Sequence, residues 1–106
     1  MTMRPLKEHQ SPARAFHALG DSTRLDLLRH LRRGDMCVCD LMSAVRVGQS
    51  LVSFHLKVLK GAGLISNRRS GRWVYYSLVP GALASLGELL ARDGRSATRP
   101  MEKDSQ

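Results

Sequence analysis

Residues 35–61 have the sequence DMCVCDLMSAVRVGQSLVSFHLKVLKG, and this stretch decides the fold. A short helix is predicted over 35–45, because four apolar residues beginning at Val38 recur at the i, i+3, i+4 and i+7 positions of one helical face. Residues 46–48 can form a tight turn, and a second helix is expected over 49–61. Two short helices joined by such a turn are typical of a helix-turn-helix.

Two further helices are predicted before this unit. Ser11 precedes a proline, which is typical of an N-cap and a first helical position, so a helix is expected over 12–19. Asp21 can cap a second helix over 22–33. The apolar face of that helix is assigned to three leucines at helical spacing, Leu25, Leu28 and Leu31.

The period changes after Gly63. Residues 64–69 and 72–78 are short segments rich in β-branched or aromatic residues around a Ser70-Gly71 turn, which predicts a β-hairpin. A last helix is expected over 82–92, with Leu83, Leu86, Leu89 and Leu90 on one side. The order α-α-α-α-β-β-α predicts a mainly α winged helix-turn-helix whose wing is the hairpin.

Length and composition limit the organisation of the chain. Its 106 residues have room for one domain. We expect an N-terminal arm over 1–11, the winged helix-turn-helix over 12–93 and a disordered tail over 94–106. The sequence has no apolar run of about 20 residues and no signal-like start, so we expect a cytoplasmic protein with no membrane partner.

Charge indicates a nucleic-acid partner. Lysines and arginines number 17 against 9 acidic residues, a net charge of +8. No acidic residue occurs between Arg46 and Leu78, a segment that contains Arg46, Lys57, Lys60, Arg68, Arg69 and Arg72. Such a block is typical of a phosphate-binding surface, with a solvated basic face as the alternative.

The helix over 49–61 is predicted to enter a major groove of double-stranded DNA. With Val52 inward, the opposite face carries Ser50, Ser53, Phe54 and Lys57. Phe54 can contact a thymine methyl and Gln49 can pair with adenine. His55 is expected to be partly buried. The remaining predicted DNA contacts are Lys60 and the basic hairpin tip, Arg68, Arg69 and Arg72, whereas Trp73, Tyr75 and Tyr76 are assigned to the core.

Cys37 and Cys39 are the candidate ligands for a soft metal or metalloid. A helix N-terminus favours the thiolate, and thiolates bind soft metals and trivalent arsenic. On an intact helix the two side chains lie about 200° apart, so one ion held by both sulfurs must unwind the first turn. The alternatives are a redox sensor that forms a disulfide, a pair of unliganded cysteines and, least favoured, a thiol-dependent enzyme.

Several blocks in order resemble the ArsR/SmtB family of metal-responsive repressors, and specifically its arsenite-sensing branch. The resemblance runs from about Phe16 to Pro80 and includes ALGDSTRL (18–25), CVCDL (37–41), SLVSFHLKVL (50–59), AGLI (62–65) and GRWVYYSL (71–78).

The resemblance implies a homodimer joined through the first and last helices, an inverted-repeat operator and no permanent cofactor. It implies trivalent arsenic as inducer, with trivalent antimony as a second candidate. Arsenite sensors of this pattern often have a third cysteine where this chain has Met42. Two thiolates completed by a small thiol or water, a methylated arsenical that needs two sulfurs, and a recruited side chain all stay open. His9 or His17 could serve if the ion were zinc, cadmium or lead.

Overall fold

A computed structural model describes residues 11–96, with side chains through Arg92. Its elements, in chain order, are α1 (Pro12–Leu19), α2 (Ser22–Leu31), β1 (Met36–Cys37), α3 (Val38–Val45), α4 (Gln49–Gly61), β2 (Ile65–Ser70), β3 (Trp73–Leu78) and α5 (Ala82–Ser96). The strands form one antiparallel sheet in the order β1-β3-β2. The predicted winged helix-turn-helix is confirmed, with α3 and α4 as its two helices and the β2–β3 hairpin, residues 65–78, as its wing.

The first two helices begin where their caps predict. The Ser11 hydroxyl accepts a hydrogen bond from the Arg14 N–H at 3.2 Å, and the Asp21 carboxylate accepts one from the Arg24 N–H at 3.1 Å. The bond from the Arg24 amide is also the main reason why the pKa of Asp21 is lowered. Helix α2 ends at Leu31 instead of residue 33, because the chain turns there and the Gly34 N–H donates to the Leu31 carbonyl at 3.1 Å.

The start of the third helix corrects the sequence prediction. Helix α3 begins at Val38 instead of residue 35, and the two residues before it form β1. Met36 pairs with Tyr76 and Cys37 with Tyr75, so the hairpin gains a third strand. The pairing satisfies backbone groups along the outer edge of β3 and holds Cys37 extended at the N-cap position of α3 (φ −82°, ψ 167°).

The core lies between the helices and one face of the sheet. Its fully buried side chains are Leu27, Leu41, Val52, Leu56, Leu59, Leu64 and Ile65. Leu28 and Leu31 are buried as predicted, but Leu25 is 38% exposed and Leu27 takes its place. The buried face of α2 therefore runs through 24, 27, 28 and 31, and its first position is an arginine that an apolar pattern does not detect.

Arg24 joins three helices from inside the protein. Its Nε donates to the Ala18 carbonyl of α1 at 2.7 Å, and its guanidinium lies 3.0 Å from Nδ1 of His55 in α4. Because a guanidinium is only a donor, Nδ1 accepts and the ring proton lies on Nε2, which is 3.9 Å from the Asp21 carboxylate. The predicted burial of His55 is confirmed, and this network positions α4 against α1 and α2.

The last helix is longer than predicted and ends at Ser96 instead of residue 92. Leu86 is buried and Leu83 packs against the core, whereas Leu90 is 57% exposed. None of the described helices is long and apolar enough to span a membrane. Most of the predicted arm (1–10) and tail (97–106) lies outside the described residues.

Replacing Arg24 by methionine should lower the free energy of unfolding by about 1–3 kcal/mol, because the Ala18 carbonyl and the His55 ring lose their buried donor. Urea denaturation at a fixed protein concentration measures the change. Arg29→Met is the matched control, since Arg29 lies on the same helix in an exposed ion pair with Asp26 (2.6 Å) and should cost no more than about 1 kcal/mol. Equal losses in both variants would contradict the assigned role of Arg24.

Candidate thiol site and nucleic-acid interface

One face of α4 is turned to solvent and the other to the core. Val52, Leu56 and Leu59 are buried, and this orientation exposes all six α4 residues that the sequence assigns to DNA contact: Gln49, Ser50, Ser53, Phe54, Lys57 and Lys60. The exposed face combines hydroxyl, amide and ammonium groups with one aromatic ring. Such a surface can form hydrogen bonds with base edges and phosphates.

Leu51 is a surface residue that the sequence analysis missed. It is 51% exposed and precedes Phe54 by three residues, so the two side chains are neighbours along the helix. An apolar pair at this spacing is usually assigned to a core, but here the core is filled by the opposite face. Exposed apolar groups on a recognition helix are suited to thymine methyl groups.

The tip of the wing carries two exposed arginines. Gly71 has a positive φ of 63°, which allows a two-residue turn between Ser70 and Trp73. Arg69 and Arg72 are exposed and make no ion pair or hydrogen bond with another described residue. Trp73 is 48% exposed, so its assignment to the core was wrong; it stands beside the turn, where little chain is available to cover it. Tyr76 packs against the core as predicted, whereas Tyr75 is half-buried under Arg68 and does not.

Arg68 and Lys60 differ from these arginines because both are engaged within the protein. Arg68 donates to the Asp35 carboxylate at 3.1 Å and lies over the Tyr75 ring, 5.1 Å from its centroid. Lys60 donates to the Asn67 side-chain carbonyl at 3.2 Å, which joins the end of α4 to β2.

Asp35 brings a negative charge to the basic wing. Its carboxylate accepts a hydrogen bond from the Arg68 guanidinium. This bond, followed by the influence of the Ser77 hydroxyl, holds the pKa of Asp35 below its usual value. The sequence contained no signal for this contact, since Asp35 and Arg68 are 33 residues apart.

The two thiols differ in environment. Both cysteines are free; Cys37 is 8% exposed and Cys39 is exposed. Cys37 belongs to β1 and caps α3 without a side-chain hydrogen bond, whereas Cys39 lies in the first turn of α3. The premise that both thiols lie on one wound helical turn was therefore wrong. The extended backbone at Cys37 removes the restriction that i and i+2 side chains face apart.

A third ligand is not apparent near the cysteines. Met42 packs against the hydrophobic core, and residues 11–92 contain no group of three His, Cys, Asp or Glu side chains that could hold a metal ion. His17 is exposed on α1, and His9 lies outside the described residues. Cys37 and Cys39 therefore stay the candidate ligands, and a site of two sulfurs would suit a soft ion able to form two strong bonds.

Comparison with known proteins identifies the family. Residues 21–67 match the family model described as bacterial regulatory protein, arsR family. The arsenic resistance transcriptional regulator ArsR2 of Pseudomonas putida is 38% identical over 76% of this chain and 70% of its own length. The chain belongs to the arsR family.

Two further proteins resemble the chain in sequence or in structure. The transcriptional repressor SmtB homolog of Synechocystis is 43% identical over 76% of this chain, and the chain spans 61% of that relative's length. Among solved structures, the homodimeric winged helix-turn-helix DNA-binding domain from Mycobacterium bovis, described as a possible ArsR-family transcriptional regulator, has a TM-score of 0.66 and 27% identity, over 88% of this chain and 86% of that one.

The two thiols should react at different rates with iodoacetamide. Cys39 should be alkylated quickly and Cys37 slowly, because a local opening that costs about 1.4 kcal/mol already slows a reaction about tenfold. Peptide mass spectrometry over time measures both sites in one sample. In Cys39→Ser protein only the slow site should remain and in Cys37→Ser protein only the fast one; equal rates at the two sites would contradict the burial of Cys37.

Proposed function

We propose that this arsR-family protein is a homodimeric transcriptional repressor that binds an inverted-repeat operator through α4 and the wing. It releases that operator when trivalent arsenic binds Cys37 and Cys39. The observation that carries the proposal is the position of this free thiol pair at the junction between β1 of the wing sheet and the first helix of the helix-turn-helix.

DNA binding is supported by the fold and by the charge of the exposed surface. The family consists of regulatory proteins. A helix-turn-helix is a DNA-binding motif and not a catalytic one. Here α4 presents its polar face beside Lys57, and the wing presents Arg69 and Arg72. In the proposed complex α4 lies in the major groove, while the two arginines bind phosphates or an adjacent narrow minor groove.

The choice of arsenic rests on the donor set and on relatives. Arsenic regulators such as ArsR2 are among the relatives, and trivalent arsenic forms strong bonds to thiolates. Arsenite, As(OH)3, forms two As–S bonds with two thiols and loses two water molecules, keeping one hydroxyl or exchanging it for a small thiol. A monomethyl trivalent arsenical needs no further ligand, so a two-sulfur site satisfies it fully.

Release follows from the different positions of the two sulfurs. We propose that an arsenic atom that bridges the buried Cys37 and the exposed Cys39 displaces β1, the first turn of α3, or both. Helix α3 packs on α4, so its displacement changes the angle at which α4 meets DNA. The ligand then favours a conformation that binds the operator poorly, and the two equilibria are linked.

Dimer formation is supported by the apolar face of α5 and by the homodimeric Mycobacterium bovis neighbour. Leu83 and Leu86 of this helix face the core, whereas Leu90 on the same side is 57% exposed. We place Leu90 at a two-fold interface together with α1, which would space two copies of α4 for successive major grooves.

The inducer assignment predicts that arsenite weakens operator binding of the wild-type protein by about tenfold or more. The Cys37→Ser and Cys39→Ser variants should bind with unchanged Kd and show no response. The inverted-repeat duplex is first selected by the protein from random DNA. Fluorescence anisotropy then measures the Kd of each variant for this duplex with and without arsenite. Met42→Leu is the matched control, since it keeps the volume and removes the thioether, and it should respond like wild type.

Further ligands in the same titration separate the alternatives. A methylated trivalent arsenical and antimonite should also release DNA in a manner that depends on both cysteines. If only cadmium or zinc releases the DNA, the inducer is that metal and not arsenic. If only peroxide releases the DNA, the protein senses oxidation through a disulfide and not a metal. If arsenite releases the Cys37→Ser or the Cys39→Ser protein from DNA, the assignment of the two cysteines as the inducer site is refuted.

The dimer assignment predicts that Leu90→Ser shifts the protein toward monomer. Burying one leucine is worth about 1.5–3 kcal/mol, and a two-fold interface contains the residue twice. Sedimentation equilibrium measures the dissociation constant. Leu51→Ser is the matched control, because Leu51 is similarly exposed but lies on α4, so this variant should dimerise with the affinity of wild type. An unchanged dissociation constant in Leu90→Ser would show that Leu90 is not part of the dimer interface.

A further inference from the structure

Cys37 and the wing share one row of side chains across the sheet. Cys37 of β1 is paired with Tyr75 of β3, and Tyr75 is paired with Arg68 of β2. Directly opposed residues in an antiparallel sheet project to the same face. The alternate row contains Met36 and Tyr76, which pack against the core, so the row through Cys37, Tyr75 and Arg68 lies on the opposite face of the sheet. On that face Cys37 is still buried, whereas Arg68 is exposed.

Asp35 connects the two ends of this row, because it directly precedes β1 and pairs with Arg68 of β2. Its carboxylate accepts a hydrogen bond from the Arg68 guanidinium at 3.1 Å. Arg68 in turn covers the ring of Tyr75. We call Asp35, Arg68 and Tyr75 the Asp35 clamp; through the Asp35–Arg68 ion pair and the Arg68–Tyr75 contact it joins the segment that leads into Cys37 to both strands of the wing.

The clamp divides the basic residues of the wing into two kinds. The charge of Arg68 is partly neutralised by Asp35, and its guanidinium is held in place by a carboxylate and an aromatic ring. Arg69 and Arg72 have no such partner among the described side chains. The charge available to phosphates at the tip is therefore supplied by Arg69 and Arg72.

From these contacts we propose that the Asp35 clamp couples the thiol site to the wing, so that a ligand bridging Cys37 and Cys39 moves the wing as well as α3. Arg68 is on this view a positioning residue for the wing and not a phosphate contact. The inference rests on the proposed function for its inducer, but the contact between β1 and the wing does not depend on which ligand binds. Displacement of β1 alters both the Cys37–Tyr75 pair and the segment that carries Asp35.

Trp73 provides a reporter for this motion. It is the single tryptophan of the chain, it begins β3 beside the wing turn, and it is 48% exposed. Arsenite added to wild-type protein without DNA should change the emission of Trp73 in step with loss of iodoacetamide reactivity at the cysteines. In Asp35→Ala protein the cysteines should still be protected by arsenite, but the change in Trp73 emission should be smaller.

Operator binding gives a second measure of the same coupling. The ratio of operator Kd values with and without arsenite should fall about two- to fivefold in Asp35→Ala, the range expected for an exposed ion pair. Arg69→Ala is the matched control on the same strand. It should weaken operator binding in both states and leave the ratio unchanged, because Arg69 is outside the clamp.

The outcomes separate this inference from the proposed function. If arsenite protects both cysteines while Trp73 emission stays constant, or if Asp35→Ala keeps the full emission change and the full Kd ratio, the coupling is refuted. If arsenite does not protect the cysteines, the proposed inducer is refuted. Alkylating Cys37 to completion in Cys39→Ser protein then tests the coupling alone, since the bulky adduct should change Trp73 emission in that variant and change it less when Asp35 is also replaced.

Discussion

The pairing of β1 with β3 is the interaction on which the arrangement of the functional surfaces depends. It uses two residues, Met36 and Cys37, yet it converts a hairpin into a three-stranded sheet and fixes where α3 begins. It adds the segment before α3 to the contacts that β3 makes with α2 and α3 and that β2 makes with α4. With it, Cys37 and the wing are parts of one sheet.

Much of the helical architecture could be predicted because each helix carries local signals at its ends. Ser11 and Asp21 accept the backbone bonds that N-caps require, and the bounds of α1 and α4 agree with the sequence prediction. The orientation of α4 was also predictable, since Val52 and Leu56 occupy one face at helical spacing. These features depend on residues within a turn or two of each other.

The errors arose where contacts between distant residues decide the outcome. A two-residue strand has no period, so β1 could be found only from its partner, β3. Arg24 occupies a buried helical position because Ala18 and His55 satisfy its guanidinium, and an apolar pattern does not detect a buried arginine. Trp73 has the composition of a core residue, but its place beside the wing turn leaves it half exposed.

The charge of the folded surface differs from the charge that the sequence block alone predicts. The block from Arg46 to Leu78 contains no acidic residue, yet folding brings Asp35 to it from 33 residues away. An isolated exposed ion pair contributes little to stability. The main effect of the Asp35–Arg68 pair is therefore to fix the position of the Arg68 side chain. In the proposed complex the carboxylate removes one cation from the phosphate-binding set and joins the segment before Cys37 to both strands of the wing. The proposed coupling depends on this exchange, because a wing held only by its own hairpin would have no side-chain link to the segment that a ligand at Cys37 displaces.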